Sequence, residues 1–409
     1  MSLPRRRLLG WLGAAGVGAA AGASGVRLAE RSPSGSSPGL ADEVIPFHGP
    51  YQAGITTPRQ PHVVFAAVDV VGGSRDDLRA LLRFWTGAAA RMTEGAPAAP
   101  PSGDREHVPW DTGEAIGLGP NRLTLTFGVG PTLFVQSAHD RFGLASRRPG
   151  ALVELPSFET DDLDPSQSGG DLCIQACADD EQVGFHAVRE LLRLGHGIVS
   201  LRWSQAGFLP RVRDGVSPRN LLGFGDGTNN IRGDDVEALE RFVWVASEGP
   251  SWLQRGSFLV ARRINIQINE WDGSSLAEQE AVIGRRKMSG APLNRRDEHD
   301  AVDLAAVDVK GIPFIPPNAH IRVSAPESNG GARILRRSYS FVDRSENRLE
   351  AGLLFLAYQR DPRTQFVSIQ RRLARIDALN RYTRHTGSAV FAVFPGIRRG
   401  GVLGDGLLL

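Results

Sequence analysis

The chain has 409 residues, of which 41% are hydrophobic and 22% charged, the balance of a globular protein rather than a disordered one. Forty-seven basic against forty-five acidic side chains leave a net charge of +2, which excludes a global field drawing the protein onto nucleic acid or an anionic membrane. The length exceeds that at which single cores stop growing, so two domains are expected.

The run Arg5-Arg6-Arg7-Leu8-Leu9 precedes a glycine- and alanine-rich apolar stretch from Trp11 to Val26, with Ala21-Gly22-Ala23 as a small-residue cleavage pattern. Basic start, modest apolar middle and small exit residues are the layout of a signal peptide. The rival reading is a membrane anchor, but so much glycine and alanine makes a weak span. The arginine cluster resembles the twin-arginine export signal, which implies passage of a folded protein into a periplasmic or extracellular space. Serine, proline and glycine from Arg31 to Gly39 read as a flexible tether, so residues 1–40 are expected to be leader and linker.

In the mature chain, Val63 to Val70 reads as a strand, and Asp76 to Arg91 as a helix whose Leu78, Leu81, Leu82 and Trp85 form one buried stripe. A proline- and alanine-dense loop covers Gly95 to Gly103. Leu123 to Phe127 alternates as a half-buried strand; Asp171 to Cys177 is a strand, Glu181 to Leu194 an amphipathic helix, and Ile198 to Trp203 a strand. Cys173 and Cys177 would lie roughly 13 Å apart on such a strand, too far for a disulfide, and no C-x-x-C pattern is present, so both read as buried thiols.

A similar succession follows. Phe242 to Val245 and Phe258 to Ile268 read as strands, Leu276 to Arg286 as a helix, Gly352 to Tyr358 as a strand, Phe366 to Leu379 as a helix and Ala389 to Phe394 as a strand. Two halves of this kind, 45–215 and 216–409, predict an α+β plan rather than a doubly wound parallel sheet.

Three short motifs carry the chemistry. Gly223-Phe224-Gly225-Asp226-Gly227-Thr228 is a turn whose glycines permit positive φ and close approach to a flat ligand. Taken alone, Asp-Gly is a common turn pair, and no Lys-Ser/Thr follows to make a phosphate loop. His320 stands in Pro316-Pro317-Asn318-Ala319-His320-Ile321-Arg322-Val323, where the residues after the prolines read as a strand; taken alone it would be a satisfied core imidazole. Arg336 and Arg337 are neighbours on a strand-like run, so only one of them can enter a given pocket. A carboxylate, an imidazole and a guanidinium together suit a metal-centred redox site.

In this order, the G-x-x-D-G signature, the A-H-I-R segment and the later arginine resemble the dye-decolorizing peroxidases, as does Phe47-His48-Gly49-Pro50-Tyr51-Gln52-Ala53-Gly54-Ile55. The resemblance spans almost the whole mature chain and implies two ferredoxin-like domains with antiparallel sheets, with haem b, one per chain and noncovalent, between sheet and helices of the C-terminal half. It implies His320 as the axial iron ligand, Asp226 as the acid–base group and Arg336 as the distal cation, leaving Arg337 to the surface or an ion pair. It places Leu353 and Phe355 as walls of the distal pocket and Gly227, Thr228, Asn229, Ala325, Pro326 and Glu327 beside the haem, with Arg285 or Lys287 pairing a propionate. His320 and Arg336 are sixteen residues apart, closer than the family pattern suggests, which points to a trimmed loop at Glu327 to Gly331, and Ser338 replaces a frequent glycine.

The implied activity is oxidation of organic donors such as dyes and phenols by hydrogen peroxide, with a surface Trp252 or Tyr382 as an electron relay for bulky donors. The implied partners are these small molecules, with no nucleic acid and no membrane span in the mature protein; a homo-oligomer stays open. Two rivals are an exported haem-handling or iron-acquisition protein of deferrochelatase type, and a binding scaffold with no haem.

Overall fold

The computed structural model describes residues 40–100, 109–213, 216–345 and 348–409. The leader expected at the N-terminus lies outside the described residues. No helix among them is long and apolar enough to cross a membrane.

The first half runs β1 (His62–Val70), α1 (Arg75–Met92), β2 (Thr124–Val129), β3 (Leu172–Ala178), α2 (Glu181–Leu194) and β4 (Val199–Phe208). Ser74 starts α1 with a reciprocal cap: its hydroxyl accepts from the Asp77 amide at 3.2 Å, and the Asp77 carboxylate accepts from the Ser74 amide at 2.7 Å. The stripe of Leu78, Leu81, Leu82 and Trp85 is buried as expected. Asp180 caps α2 through the amides of Gln182 and Val183.

The second half runs α3 (Val236–Phe242), β5 (Ser257–Ile266), α4 (Leu276–Ile283), α5 (His320–Val323), β6 (Leu335–Arg336), β7 (Tyr339–Ser345), β8 (Arg348–Gln359), α6 (Phe366–Ile376) and β9 (Thr383–Val393). Two of these correct the sequence reading. The strand expected at Phe242–Val245 is instead the last residue of α3 and the turn that follows it, because Asp235 accepts from the Ala238 amide and starts a helix there. The strand expected after Ala319 is the single helical turn α5, whose β-branched Val323 is buried in a helix contact rather than in a ladder.

Every strand pairing between named strands is antiparallel, and the order β2-β3-β1-β4 in the first half is repeated as β7-β8-β5-β9 in the second. Each half is thus a ferredoxin-like βαββαβ unit. The units join edge to edge, Gly128 and Val129 of β2 facing Val393 and Ala392 of β9, and Phe208 of β4 facing Ser340 of β7. With β5 bonded to both β9 and β8, the sheet closes into a barrel without free edges. Gly207 makes the β4–β7 seam possible: a Cβ there would stand 2.8 Å from that of Tyr339.

Closure buries both faces of the strands. Val63, Phe65 and Ala67 of β1 point into the barrel beside Trp203, Tyr339, Phe341 and Phe391, while Ala66 and Val68 face outward under α1 and α2. For the same reason β2, expected to be half-buried, is buried along its whole length. Each phenylalanine so removed from water stabilises the fold by about 2–3 kcal/mol. Cys173 and Cys177 are free thiols inside the barrel, as expected.

Three side chains expected at the surface are buried. Arg337 is 2% exposed and donates to the Thr57 carbonyl and the Gln60 side chain across the seam. Trp252 donates its indole N–H to the Arg147 carbonyl at 3.0 Å, and the Tyr382 hydroxyl donates to Glu278 at 2.8 Å. Their polar tips are satisfied locally, which lets the rings pack inside; neither is a surface relay.

Candidate active site

Asp226 sits on a tight loop between the two halves. The Asn220 amide donates to the Phe224 carbonyl and the Asp226 amide to the Pro218 carbonyl at 2.8 Å, while Gly223 and Gly227 take φ of 83° and 105°. These are conformations that residues with a Cβ rarely adopt. Phe224 and the Leu222 carbonyl anchor the loop on Trp271, the indole donating at 3.0 Å.

Arg336 reaches this loop through Asn230, a residue the sequence reading did not single out. The Asn230 side chain accepts from the Arg336 amide at 2.9 Å and donates to the Arg336 carbonyl at 2.7 Å, clamping β6 to the loop. The guanidinium of Arg336 then donates to Asp226 Oδ1 at 3.2 Å. Its neighbour Arg337 faces the barrel interior, so the strand alternation selects Arg336 for this pocket.

His320 begins α5. Its Nδ1 lies 2.6 Å from Asp377 Oδ2, and the Asp377 side chain is only 3% exposed. Asp377 is itself fixed, its other oxygen accepting from the Leu379 amide at 2.9 Å. Burial opposes a charge on the imidazole, and the Asp377 carboxylate overrides it, so the His320 pKa lies above its ordinary value; Arg336 and Asp226 also act on it. The carboxylate holds a proton on Nδ1 and leaves Nε2 without a hydrogen-bond partner among the described residues.

A small cavity beside Asp226 is lined by Arg59, Asn220, Ser338, Ser340 and Leu353. Arg59 comes from the first half and makes no hydrogen bond among the described residues. Desolvation lowers its pKa, with the charge of Asp226 working against that and those of Arg337 and Arg336 adding to it. Its only sequence signal is its place four residues after the motif ending at Ile55.

The other expected residues divide. Leu353 and Phe355 share the outer face of β8; Leu353 lines the cavity and Phe355 packs on Phe366, their centroids 6.0 Å apart. Gly227 lies against Arg59, since a Cβ there would be 3.3 Å from its Nη2. Thr228 braces the loop by donating to Glu298 at 2.8 Å, and Asn229 is exposed. Ala325, Pro326 and Glu327 form the short turn after α5, with Ala325 buried and Glu327 exposed. Arg285 is engaged by the carbonyls of Gly290 and Glu298, and Lys287 by the Gln279 side chain.

Models of the N-terminal and C-terminal parts of the Dyp-type peroxidases match residues 52–209 and 217–398. The chain belongs to the Dyp-type peroxidase family and is an enzyme of that kind. It is similar to the dye-decolorizing peroxidase of Thermobifida fusca strain YX, 40% identical over 99% of this chain and 97% of that one. A deferrochelatase of Escherichia coli strain K12 is 35% identical over 96% of this chain and 94% of its own. Among solved structures, DtpA from Streptomyces lividans superimposes with a TM-score of 0.83 at 40% identity, covering 90% of this chain and 99% of that chain.

Proposed function

We propose that the protein is an exported haem b peroxidase, one haem per chain, that uses hydrogen peroxide to oxidise organic donors such as dyes and phenols. The observation that carries this is the pair of pairs: an imidazole tied by Nδ1 to a buried carboxylate, and a carboxylate paired with a permanent cation, each feeling the other's charge. The first pair fits an iron porphyrin, because a ligating histidine characteristically donates its second N–H to an acceptor that fixes the tautomer and raises its basicity. Solved structures of the similar DtpA include an oxyferrous complex and a ferric form, which supports iron here.

His320 would hold the haem iron through Nε2, and the haem would supply the electrons that peroxide takes and later recover them singly from two donor molecules. Asp226, paired with Arg336, would accept a proton from one peroxide oxygen and return it to the other, which leaves as water. Arg336 stabilises the negative charge that develops on the breaking O–O bond without changing the proton count. Leu353 and Phe355 keep this side poor in water. Over a full cycle one peroxide, two protons and two donor electrons give two waters.

Replacing Arg336 by leucine tests the assignment. Peroxide-driven turnover should fall about 100-fold or more, in line with loss of one charge-stabilising donor, while the haem spectrum persists. Undiminished turnover would remove Arg336 from the mechanism. The similarity to the E. coli deferrochelatase keeps a second reading in view, an exported protein that frees iron from haem with the porphyrin intact. Porphyrin released without iron from the purified holoprotein would favour that reading over peroxidase chemistry.

A further inference from the structure

A second cluster lies in the first half, in residues to which the peroxide chemistry assigns no task. His186 and Glu190 are four apart on α2, hence on one helix face, and Asp111 approaches them from the loop before β2. One ligand atom from each lies within 4.8 Å of the others, and the three residues are 4%, 0% and 8% exposed respectively.

We propose that Asp111, His186 and Glu190 bind one divalent transition-metal ion of the zinc type. Tetrahedral ligands about 2.0–2.2 Å from zinc stand roughly 3.3–3.5 Å from one another. His186 Nε2 and Asp111 Oδ2 are 3.5 Å apart. With the ion on Nε2, the second ring N–H points at Glu114 Oε1, 3.5 Å from Nδ1. This is the imidazole–carboxylate relay that orients metal-bound histidines. Nδ1 is buried and 3.5 Å from Glu114 Oε1, just short of a hydrogen bond, so this carboxylate has to draw closer for the relay to form.

Charge balance leads to the same place. Two buried carboxylates face one guanidinium, Arg193, which is spent on Glu190 Oε2 at 2.7 Å. Among the described residues Asp111 has no cation within 4 Å except His186. Its oxygens accept from the amides of Ala98 and Gly113, which orient the carboxylate without neutralising it. The ion supplies the missing positive charge. It takes Glu190 Oε2 in place of Arg193, whose side chain is 30% exposed and keeps its bonds to the Pro109 and Trp110 carbonyls, while Thr112 continues to hold Oε1 through its amide and hydroxyl. A water completes the shell. The site would tie the loop at residues 109–114 to α2.

The test is zinc titration of the metal-stripped holoenzyme by calorimetry at pH 7.5, with the thermal midpoint recorded alongside. One zinc per chain and a raised midpoint are expected, with affinity falling 100-fold or more in His186→Asn and in Glu190→Gln, and peroxidase turnover unchanged. Glu190→Gln retains acceptors for Thr112, which keeps the test usable if His186→Asn folds poorly. Failure of the parent protein to bind zinc, or equal binding by both variants, would overturn the proposal.

Discussion

Replacing Asp377 by asparagine isolates the group that makes His320 more than a core imidazole. Asparagine has nearly the same shape and can still accept from the Leu379 amide, so the end of α6 should survive. What is lost is the negative charge 2.6 Å from Nδ1 at a position only 3% exposed. Hydrogen bonds to ionised acceptors are about twice as strong as neutral ones. Substitutions of such outer partners cost about 10- to 100-fold in metal affinity, or about 1.4–2.7 kcal/mol. An anionic partner makes the imidazole a stronger donor and favours the more oxidised iron, so its loss destabilises the ferric state relative to the ferrous. At about 59 mV per 1.4 kcal/mol for one electron, the midpoint potential of the bound haem should rise by about 60–120 mV. Spectroelectrochemical titration of parent and variant reads this directly. A shift under roughly 20 mV, with the thermal midpoint preserved, would mean that Asp377 does not tune the ligand and that the short contact is structural.

Arg59→Gln should lower kcat/KM for peroxide about 10- to 100-fold, because a cation beside Asp226 is removed, while KM for the organic donor stays put; an unchanged kcat/KM for peroxide would refute a role for that cation. His385 gives a pH signature. Burial, then the adjacent Arg262, depress its pKa to about 3, so below the ordinary value near 6.5 the unfolded chain binds a proton that the folded chain refuses. Stability is therefore fully present above about pH 6.5 and declines as pH falls towards 3, by about 2–3 kcal/mol at pH 4.5. Denaturant melts at pH 7 and 4.5 should show this loss in the parent and not in His385→Gln, and an identical pH dependence in the two would refute it. Gly207→Leu should cost about 3 kcal/mol or more, since its Cβ would meet Tyr339 at 2.8 Å and the Ser340 carbonyl at 3.1 Å in the β4–β7 seam; an unchanged thermal midpoint would show that the seam yields.

What could be read from the chain was whatever local chemistry writes. The α1 stripe, the glycines flanking Asp226 and the order of Asp226, His320 and Arg336 are all short-range patterns, and the structure brings the three polar groups together. What escaped depends on distant contacts. Asp377 meets His320 across 57 residues, and Asn230 meets Arg336 across 106, so no spacing rule could name either. Ile321 and Val323 suggested a strand by their β-branching, but one turn of helix packed on its neighbours overrides that weak preference. Trp252 and Tyr382 were misread because amphipathic rings go to the surface or the interior according to whether their polar tips find a partner.

The position of Arg336 follows from the barrel and not from the loop alone. Arg337 is held inside the seam by Thr57 and Gln60, beside Tyr339 and Tyr358, and its amide donates to the Leu356 carbonyl at 2.7 Å, which carries the ladder across the break between β6 and β7. With Arg337 anchored inward, the preceding residue must point outward, towards Asp226. The first half thus acts on the site twice, through Arg59 at its edge and through Thr57 and Gln60, which fix the facing of a strand in the other half. A ferredoxin-like unit of the second half alone would carry Asp226, His320 and Arg336 in its sequence but lack the contacts that aim them. This is a physical reason for the two units to close into one barrel instead of standing as separate domains.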